Sequence, residues 1–484
     1  MSTSALTSPA ARLRVRAADR APWLGLAVVI ASAVMDLLDS TITQTAAPAI
    51  RRDLGGSYAD LEWISAAYTL AMSVTLLLGS RLGDILGRRR VMLGGIAAFV
   101  AASTLCALAP SPATLIVCRA IQGAVAAVMI PQGFGLIREL FGDEGQQRAL
   151  GVFGPVMGLA AVAGPLAGGG LVAADLLGTG WRAIFLINVP LGLAAVAAGR
   201  RYLPHDVPTA PGERPDGASV GLAVAGGVAL IYPLIEGRED GWPLWAFLML
   251  GAGVGLLGAF AALQMRRARQ GRSPLIEPSL LRRRPYVAGL AVVLAFIAGM
   301  GGMMITLNVV YQVGLGFTPL GCAAATVAIP LAAIAGSITS SALLARLGRT
   351  TMHAGIAVMA LGLVAGVVVL RGVGGGLSPW DLVGPLAVTG YGMGMVFVPM
   401  FDVILAGVPA RLVGSASGLL ESVQQFAMSL GIAAVGTVLF DEVGTGHGAG
   451  PFVSAAGDAL LGAVAFLAVA GLAVCWLPRH ARAR

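Results

Sequence analysis

Four ionisable side chains lie where an apolar chain is expected to carry none. Asp36 and Asp39 stand in Met35-Asp-Leu-Leu-Asp39, Arg119 in Leu115-Ile-Val-Cys-Arg119, and Glu421 in Leu419-Leu-Glu421, each inside a long apolar run. At the centre of a membrane helix such a group costs about 2.5–3.5 kcal/mol, so those that persist bind protons, ions or substrate, or pair with one another. Amides accompany them: Gln44 follows Asp39, Gln122 lies one turn beyond Arg119, and Gln425 one turn beyond Glu421. This is chemistry for holding protons and polar or cationic small molecules. The four histidines (His205, His353, His447, His480) have no metal-ligand or triad spacing, and the Gly-x4-Gly-Lys-Ser/Thr phosphate cradle is absent. No metal, no organic cofactor and no enzyme is expected.

These residues need an apolar frame. Of 484 residues 57% are hydrophobic and 12% charged, where soluble domains carry about 25% charged residues. The apolar residues fall into runs of about 20, enough to span a hydrocarbon core of about 30 Å as a helix. Fourteen spans are predicted, at 23–46, 60–80, 91–109, 113–136, 149–173, 182–199, 218–235, 244–264, 286–311, 320–345, 352–370, 380–402, 413–438 and 454–477. Cys106, Cys118, Cys322 and Cys475 lie in these runs without paired spacing, so no disulfide framework follows. The basic start of the chain precedes an apolar run too long for a signal peptide, which reads as an uncleaved first span.

The basic residues orient the spans. The chain has no lysine, and its net charge of +8 rests on arginine. Arg51, Arg52, Arg182, Arg238 and Arg371 fall in predicted outer segments and Arg119 within a span; all other arginines lie inside if both termini are cytoplasmic, as the positive-inside rule requires. The plasma membrane is the expected location, and nucleic acid is not an expected partner. Depth then relates two of the opening residues. At 1.5 Å per residue, Asp39 lies roughly 24 Å from the inner surface and Arg119 roughly 9 Å below the outer one, nearly level in a core of about 30 Å. An Asp39–Arg119 pair, or a shared water cavity, is expected; a static bridge joining two helices is the plainer alternative. Glu421 lies roughly 13 Å deep by the same count. It either binds a cation or second proton, or is held protonated and hydrogen-bonds a neighbour. Asp402 reads as interfacial.

Residues 79–90, Gly-Ser-Arg-Leu-Gly-Asp-Ile-Leu-Gly-Arg-Arg-Arg, form a short inner hairpin in which Gly83 and Gly87 are expected to permit the turn. The stretch resembles the loop between helices two and three of the major facilitator superfamily, with Ser80 at the first glycine and Ile85 where a basic residue is usual. The resemblance implies gating roles for Gly83, Asp84, Gly87 and Arg88, with Asp84 capping a helix N-terminus across the interface, where the dipole favours a negative charge. Leu344-Ala-Arg-Leu-Gly-Arg349 echoes this loop faintly, as in transporters built from repeated halves.

Further stretches narrow the resemblance to the fourteen-helix drug:proton antiporters. Leu38-Asp-Ser-Thr-Ile-Thr-Gln-Thr-Ala-Ala-Pro48 is similar to their first-helix pattern, with Gln44 for Asn and Ala47 for Leu. Leu115–Gly123 resembles their fourth-helix Arg-x-x-Gln-Gly pattern, in which the arginine is implicated in proton coupling. Trp63, Tyr68 and Trp181-Arg-Ala-Ile-Phe-Leu-Ile-Asn188 resemble their second and sixth helices. Gly158, Gly164, Pro165, Gly168 and Gly169 resemble the fifth-helix signature associated with antiport; tight helix packing with a proline kink is the plainer account.

The resemblance implies an all-α integral membrane protein of the major facilitator fold, two six-helix bundles plus two inserted helices. The expected division is a tail 1–22, a first bundle 23–199, a linker 200–217, the inserted helices 218–264, a basic loop 265–285, a second bundle 286–477 and a tail 478–484. The basic loop serves either as a contact for anionic headgroups or as a topological anchor. The implied function is proton-coupled export of drugs or antibiotics by alternating access. Asp39 and Arg119 are the expected proton-coupling residues, and Asp36, Gln44, Gln122, Glu421 and Gln425 the substrate-binding ones. Partners are a small-molecule drug or antibiotic, protons and the lipid bilayer, and a monomer is expected. The alternatives are a dedicated exporter of one endogenous natural product and, remotely, an integral-membrane enzyme. Met300, Met303, Met304, Met393, Met395 and Met400 offer either an adaptable binding wall or core filling.

Overall fold

A computed structural model describes residues 9–478 except 176–177, 207, 209–215, 273, 374–375, 379, 406–407, 410–411 and 444–448. His447, His480, the linker residues Pro211 and Pro215 and the end of the tail therefore lie outside the described residues. Fourteen helices are long and apolar enough to cross a membrane, and no strand occurs among the described residues. They are α1 (Ala21–Leu54), α2 (Tyr58–Leu86), α3 (Arg88–Ala107), α4 (Pro112–Gly142), α5 (Gly145–Ala174), α6 (Gly180–Tyr202), α7 (Gly217–Glu239), α8 (Leu244–Arg269), α9 (Arg284–Gly314), α10 (Pro319–Leu344), α11 (Thr350–Val373), α12 (Val383–Leu405), α13 (Val413–Asp441) and α14 (Phe452–Val474). Helix continues backward from α1 to Pro9.

Glycine decides which helices touch. In a membrane, close backbone approach through small residues replaces the hydrophobic effect as a packing force. A Cβ at Gly79 would overlap Ala127 of α4, one at Gly123 would overlap Tyr68 of α2, and one at Gly83 would overlap the Gln132 side chain. α2 therefore lies flush on α4. Gly336, Gly390 and Gly394 do the same for α10 and α12. The parallel extends to the helix ends: α2 stops at Gly87 (φ 95°) and α10 runs into Gly348 (φ 54°), a backbone region that favours glycine.

Gly83 departs from the expected hairpin. α2 runs straight through it to Leu86, and Gly87 alone makes the turn. The space a side chain would need at Gly83 holds Gln132, whose Nε2 donates to the carbonyls of Gly79 (2.9 Å) and Val128 (2.8 Å).

The basic segment after α8 folds back on the helices. Gln264 donates to Ser219 Oγ (2.6 Å) and accepts from Leu275 N (2.8 Å), Arg267 meets Asp216 at 2.5 Å, and Arg81 donates to the Pro274 carbonyl (2.8 Å). Ile276, Pro278 and Leu280 are buried beneath it.

Helices before and after the insertion meet along α2 and α13 and again where α5 meets α10. Ser422 Oγ donates to the Ser73 carbonyl (2.5 Å), Ser429 Oγ to the Ala66 carbonyl (3.2 Å), and the Tyr58 and Phe440 rings stack 4.6 Å apart. Gln312 Nε2 donates to the Thr45 carbonyl (2.7 Å), and a Cβ at Gly169 would lie 2.7 Å from Leu320 Cα. These junctions run from mid-helix to the face opposite the arginine-rich end, so the assembly is sealed on that opposite face.

Candidate functional site

Asp39 and Arg119 meet at the centre of the first six helices, with side chains 0% and 1% exposed. Arg119 Nη1 donates to Asp39 Oδ2 and to Gln122 Oε1 (2.7 Å), and its Nε donates to the Ile64 carbonyl (3.3 Å). Gln122 Nε2 (2.8 Å) and Asn188 Nδ2 (3.0 Å) both donate to Asp39 Oδ1, and Asn188 also donates to Ser103 Oγ (3.0 Å). The guanidinium carbon lies 4.2 Å from the centre of the Tyr68 ring. Cation, carboxylate and amides from α1, α2, α3, α4 and α6 thus form one closed ring of bonds in which both Asp39 oxygens are engaged, while Asn188 Oδ1 at its edge is buried without a partner. A buried pair is tolerable when its remaining lone pairs and protons are satisfied in this way.

Local structure delivers each member. Arg119 and Gln122, three apart on α4, share a helix face. Asn188 begins the second piece of α6, which is interrupted at Ile187. The hairpins on either side bring it beside Ser103 of α3. Gln122, expected on the substrate side, is fully buried, with its amide oxygen accepting from Arg119 and its nitrogen donating to Asp39. Asn188 was absent from the sequence-based set. Its signal was an amide directly before Val189-Pro190 inside an apolar run.

Asp36 lies one turn before Asp39 and is only half-buried. It accepts a hydrogen bond from Tyr68 Oη, and the same tyrosine ring stacks on Arg119. Tyr68 thus physically links the closed network to a carboxylate that reaches its edge. Asp36 also lies within electrostatic reach of Glu421 on α13, which is half-buried too. Two acids from opposite sides of the α2–α13 junction therefore share one region. Gln425 is half-buried one turn beyond Glu421. Gln44 lines a small pocket at the sealed face with Ser65, Asn308 and Ile432, away from those acids.

The gating residues divide. Arg88 meets Asp84 at 3.3 Å and Glu139 at 3.1 Å, with all three side chains half-exposed. Asp84 is thus engaged by Arg88 of its own loop, and no bond from it to a helix N-terminus across the interface occurs among the described residues. Gly135, by lacking a side chain, makes room for Arg88 against α4. On α5, Gly164 and Gly168 admit Thr41 and Ile42 of α1, and Gly169 admits Leu320 of α10. Gly158 faces open space. Asp402 is exposed. Met303, Met395 and Met400 are buried in the core, and Met300, Met304 and Met393 pack against it.

Comparison with known proteins adds an independent line. The sequence profile described as Major Facilitator Superfamily matches residues 29–432. A protein of Streptomyces coelicolor named "Probable actinorhodin transporter" is 44% identical over 87% of this chain and 73% of its own length. The "Tetracenomycin C resistance and export protein" of Streptomyces glaucescens is 33% identical over 90% of this chain and 78% of its own. Among solved structures, a POT family transporter superposes with a TM-score of 0.63 at 17% identity, covering 93% of this chain and 98% of that one. The last likeness concerns the fold alone.

Proposed function

The chain belongs to the major facilitator superfamily, a multi-pass membrane transporter and not an enzyme, and from that premise we propose that it exports antibiotic-type small molecules in exchange for protons. The observation that carries the reading is the pair of half-buried acids, Asp36 and Glu421, beside the closed Asp39–Arg119 network. In this reading the arginine-rich face is cytoplasmic, with both termini on that side, and the seal lies outward. The two six-helix units rock about the acids between them. A lipophilic cation entering from inside is attracted by the ionised acids. After reorientation, protons taken from outside neutralise the two acids and free the cation, so that two protons entering for one monovalent cation leaving carry one net charge inward. The membrane potential supplies about 2.3 kcal/mol per elementary charge per 100 mV.

Tyr68 gives the exchange its internal connection. Its hydroxyl donates to Asp36 while its ring lies against Arg119. A change of charge at Asp36 is therefore felt at the Arg119–Asp39 pair, which holds α1 to α4. Gln425 and, further out, Gln44 contribute polar contacts to substrate.

Export of a single natural product is a second reading, favoured by relatives whose names each specify one antibiotic. One experiment separates the two. Proton release from purified protein in unbuffered detergent is followed as ethidium is added to wild type, Asp36→Asn and Asp39→Asn. Release that is lost in the variants supports exchange at these acids. Ethidium that neither binds nor releases protons from wild type sinks the cation–proton reading and leaves dedicated export of a neutral or anionic product.

A further inference from the structure

The inserted helices take no part in the network above, yet one of them is wedged between moving parts. α8 packs on α7 and is otherwise mostly outward-facing. α7 lies in the groove between α2 and α13. A Cβ at Gly227 would come within 3.1 Å of Leu70 and 3.4 Å of Val74 on α2, and within 3.9 Å of Phe426 on α13.

Toward the sealed face the contacts become polar. Trp63 Nε1 donates to Glu236 Oε1 (2.8 Å), the Ala59 amide to Glu239 Oε1 (3.4 Å), and Thr437 Oγ1 to the Leu234 carbonyl (2.6 Å). Arg238 Nη1 is shared between Glu62 Oε1 of α2 (3.1 Å) and the Gly436 carbonyl of α13 (3.3 Å), with its guanidinium carbon 5.2 Å from the centre of the Phe440 ring. The two charged side chains are 0% and 7% exposed. Glu62 Oε2 is buried with no hydrogen-bond partner. A Cβ at Gly436 would lie 2.9 Å from Glu62 Cδ, so the missing side chain leaves room for the carboxylate.

We propose that Arg238 is the pin of a gate: the inserted helix α7 holds α2 of the first half to α13 of the second, and the pin lets go of α13 each time this face opens. The inference rests on alternating access, as in the proposed function. Separating α2 from α13 leaves α7 able to follow only one of them. Both Arg238 bonds have a charged donor, but only Glu62 brings an opposite charge, and Glu236 and Glu239 also accept from α2, so α7 travels with α2. The contacts to Gly436, Thr437 and Phe440 are the ones that break. A permanent rivet would be badly built this way, because a buried ion pair contributes stability only when its remaining acceptor atoms are satisfied. Glu62 and Arg238 are therefore positioning residues for transport.

Spin labels on cysteines placed at Ala113 and Trp380, both exposed at the sealed face, report the separation of the halves in a Cys475→Ser background. Their distance distribution needs neither substrate nor protons, so it stands or falls separately from the export reading. Arg238→Met is expected to raise the long-distance population several-fold. Thr437→Val, which removes only a neutral α7–α13 bond, should move it the same way by less, and keeps the test available if the arginine variant does not fold. Arg238→Lys, which keeps the charge opposite Glu62, should stay near wild type. Distributions unchanged in both Arg238→Met and Thr437→Val would overturn the gate and make the pair a static contact.

Discussion

Two buried arginine–carboxylate pairs invite comparison. Arg119–Asp39 draws on α1, α2, α3, α4 and α6, and both Asp39 oxygens are bonded. Arg238–Glu62 draws on α2, α7 and α13, and one Glu62 oxygen is bare. The pair whose carboxylate is bonded at both oxygens lies within one half, where nothing has to part, although its neighbour Asn188 keeps a bare Oδ1. The incomplete one lies where the halves meet. The difference lies in the ion pairs themselves: a carboxylate bonded at both oxygens holds its helices together, and one left half-bonded between two halves suits a contact that parts.

The sharpest way to break this comparison is to remove one charge from the saturated pair. Arg119→Ala leaves Asp39 buried without its cation and is expected to cost about 3–5 kcal/mol of stability, read from denaturant unfolding in mixed micelles. The double variant Asp39→Leu with Arg119→Met should recover most of that loss while exchange remains abolished. Recovery of stability without exchange separates a functional charge pair from a static bridge. A single-variant cost below about 1 kcal/mol, the level of an exposed pair, would erase the distinction between the two sites.

Glu62→Gln sharpens it from the other side. The amide still accepts from Arg238, and a group with an already unsatisfied oxygen loses less than a saturated one. Arg238 loses its counter-charge but keeps the new amide and the Gly436 carbonyl as acceptors and the Phe440 ring beside it. The expected loss, measured in the same unfolding assay, therefore lies above the about 1 kcal/mol of an ordinary hydrogen bond and below the about 3–5 kcal/mol of a pair broken outright. A loss as large as that of Arg119→Ala would show that the boundary pair is the main anchor of the fold.

The sequence made the saturated pair legible and hid the open one, for a physical reason. Apolar runs of bilayer length fix the spans, and the constant rise of a helix puts Asp39 and Arg119 at one depth. Span ends carry no such signal: α1 continues to Leu54 and α4 to Gly142, because polar residues prolong a helix without extending its apolar run. Glu62 and Arg238 stand near such ends, where an acid or a base reads as interfacial. Only the packing of α7 between α2 and α13 buries them. Asn188 was illegible because its role depends on which helix lies beside α6. Gly83 looked like half of a turn with Gly87 because spacing alone cannot show that Gln132 occupies the space beside it.

The smallest expected effect concerns the α5 glycines, which sequence alone treats as one signature. Gly169 stands 2.7 Å, measured from a Cβ built on it, from the backbone of α10, so Gly169→Ala must push α5 away from the second half and loosen the sealed face. Spin-label distances across that face should lengthen. Gly158 meets nothing within 4 Å in this arrangement. Gly158→Ala should therefore leave the distances unchanged and raise helix stability by up to about 1 kcal/mol, the difference in propensity between the two residues. If Gly158→Ala nevertheless stops export, the side-chain-free surface is needed when the opposite face is sealed. The two glycines would then serve the two ends of the cycle, one closing each face, and the comparison between fixed and parting contacts would extend to α5.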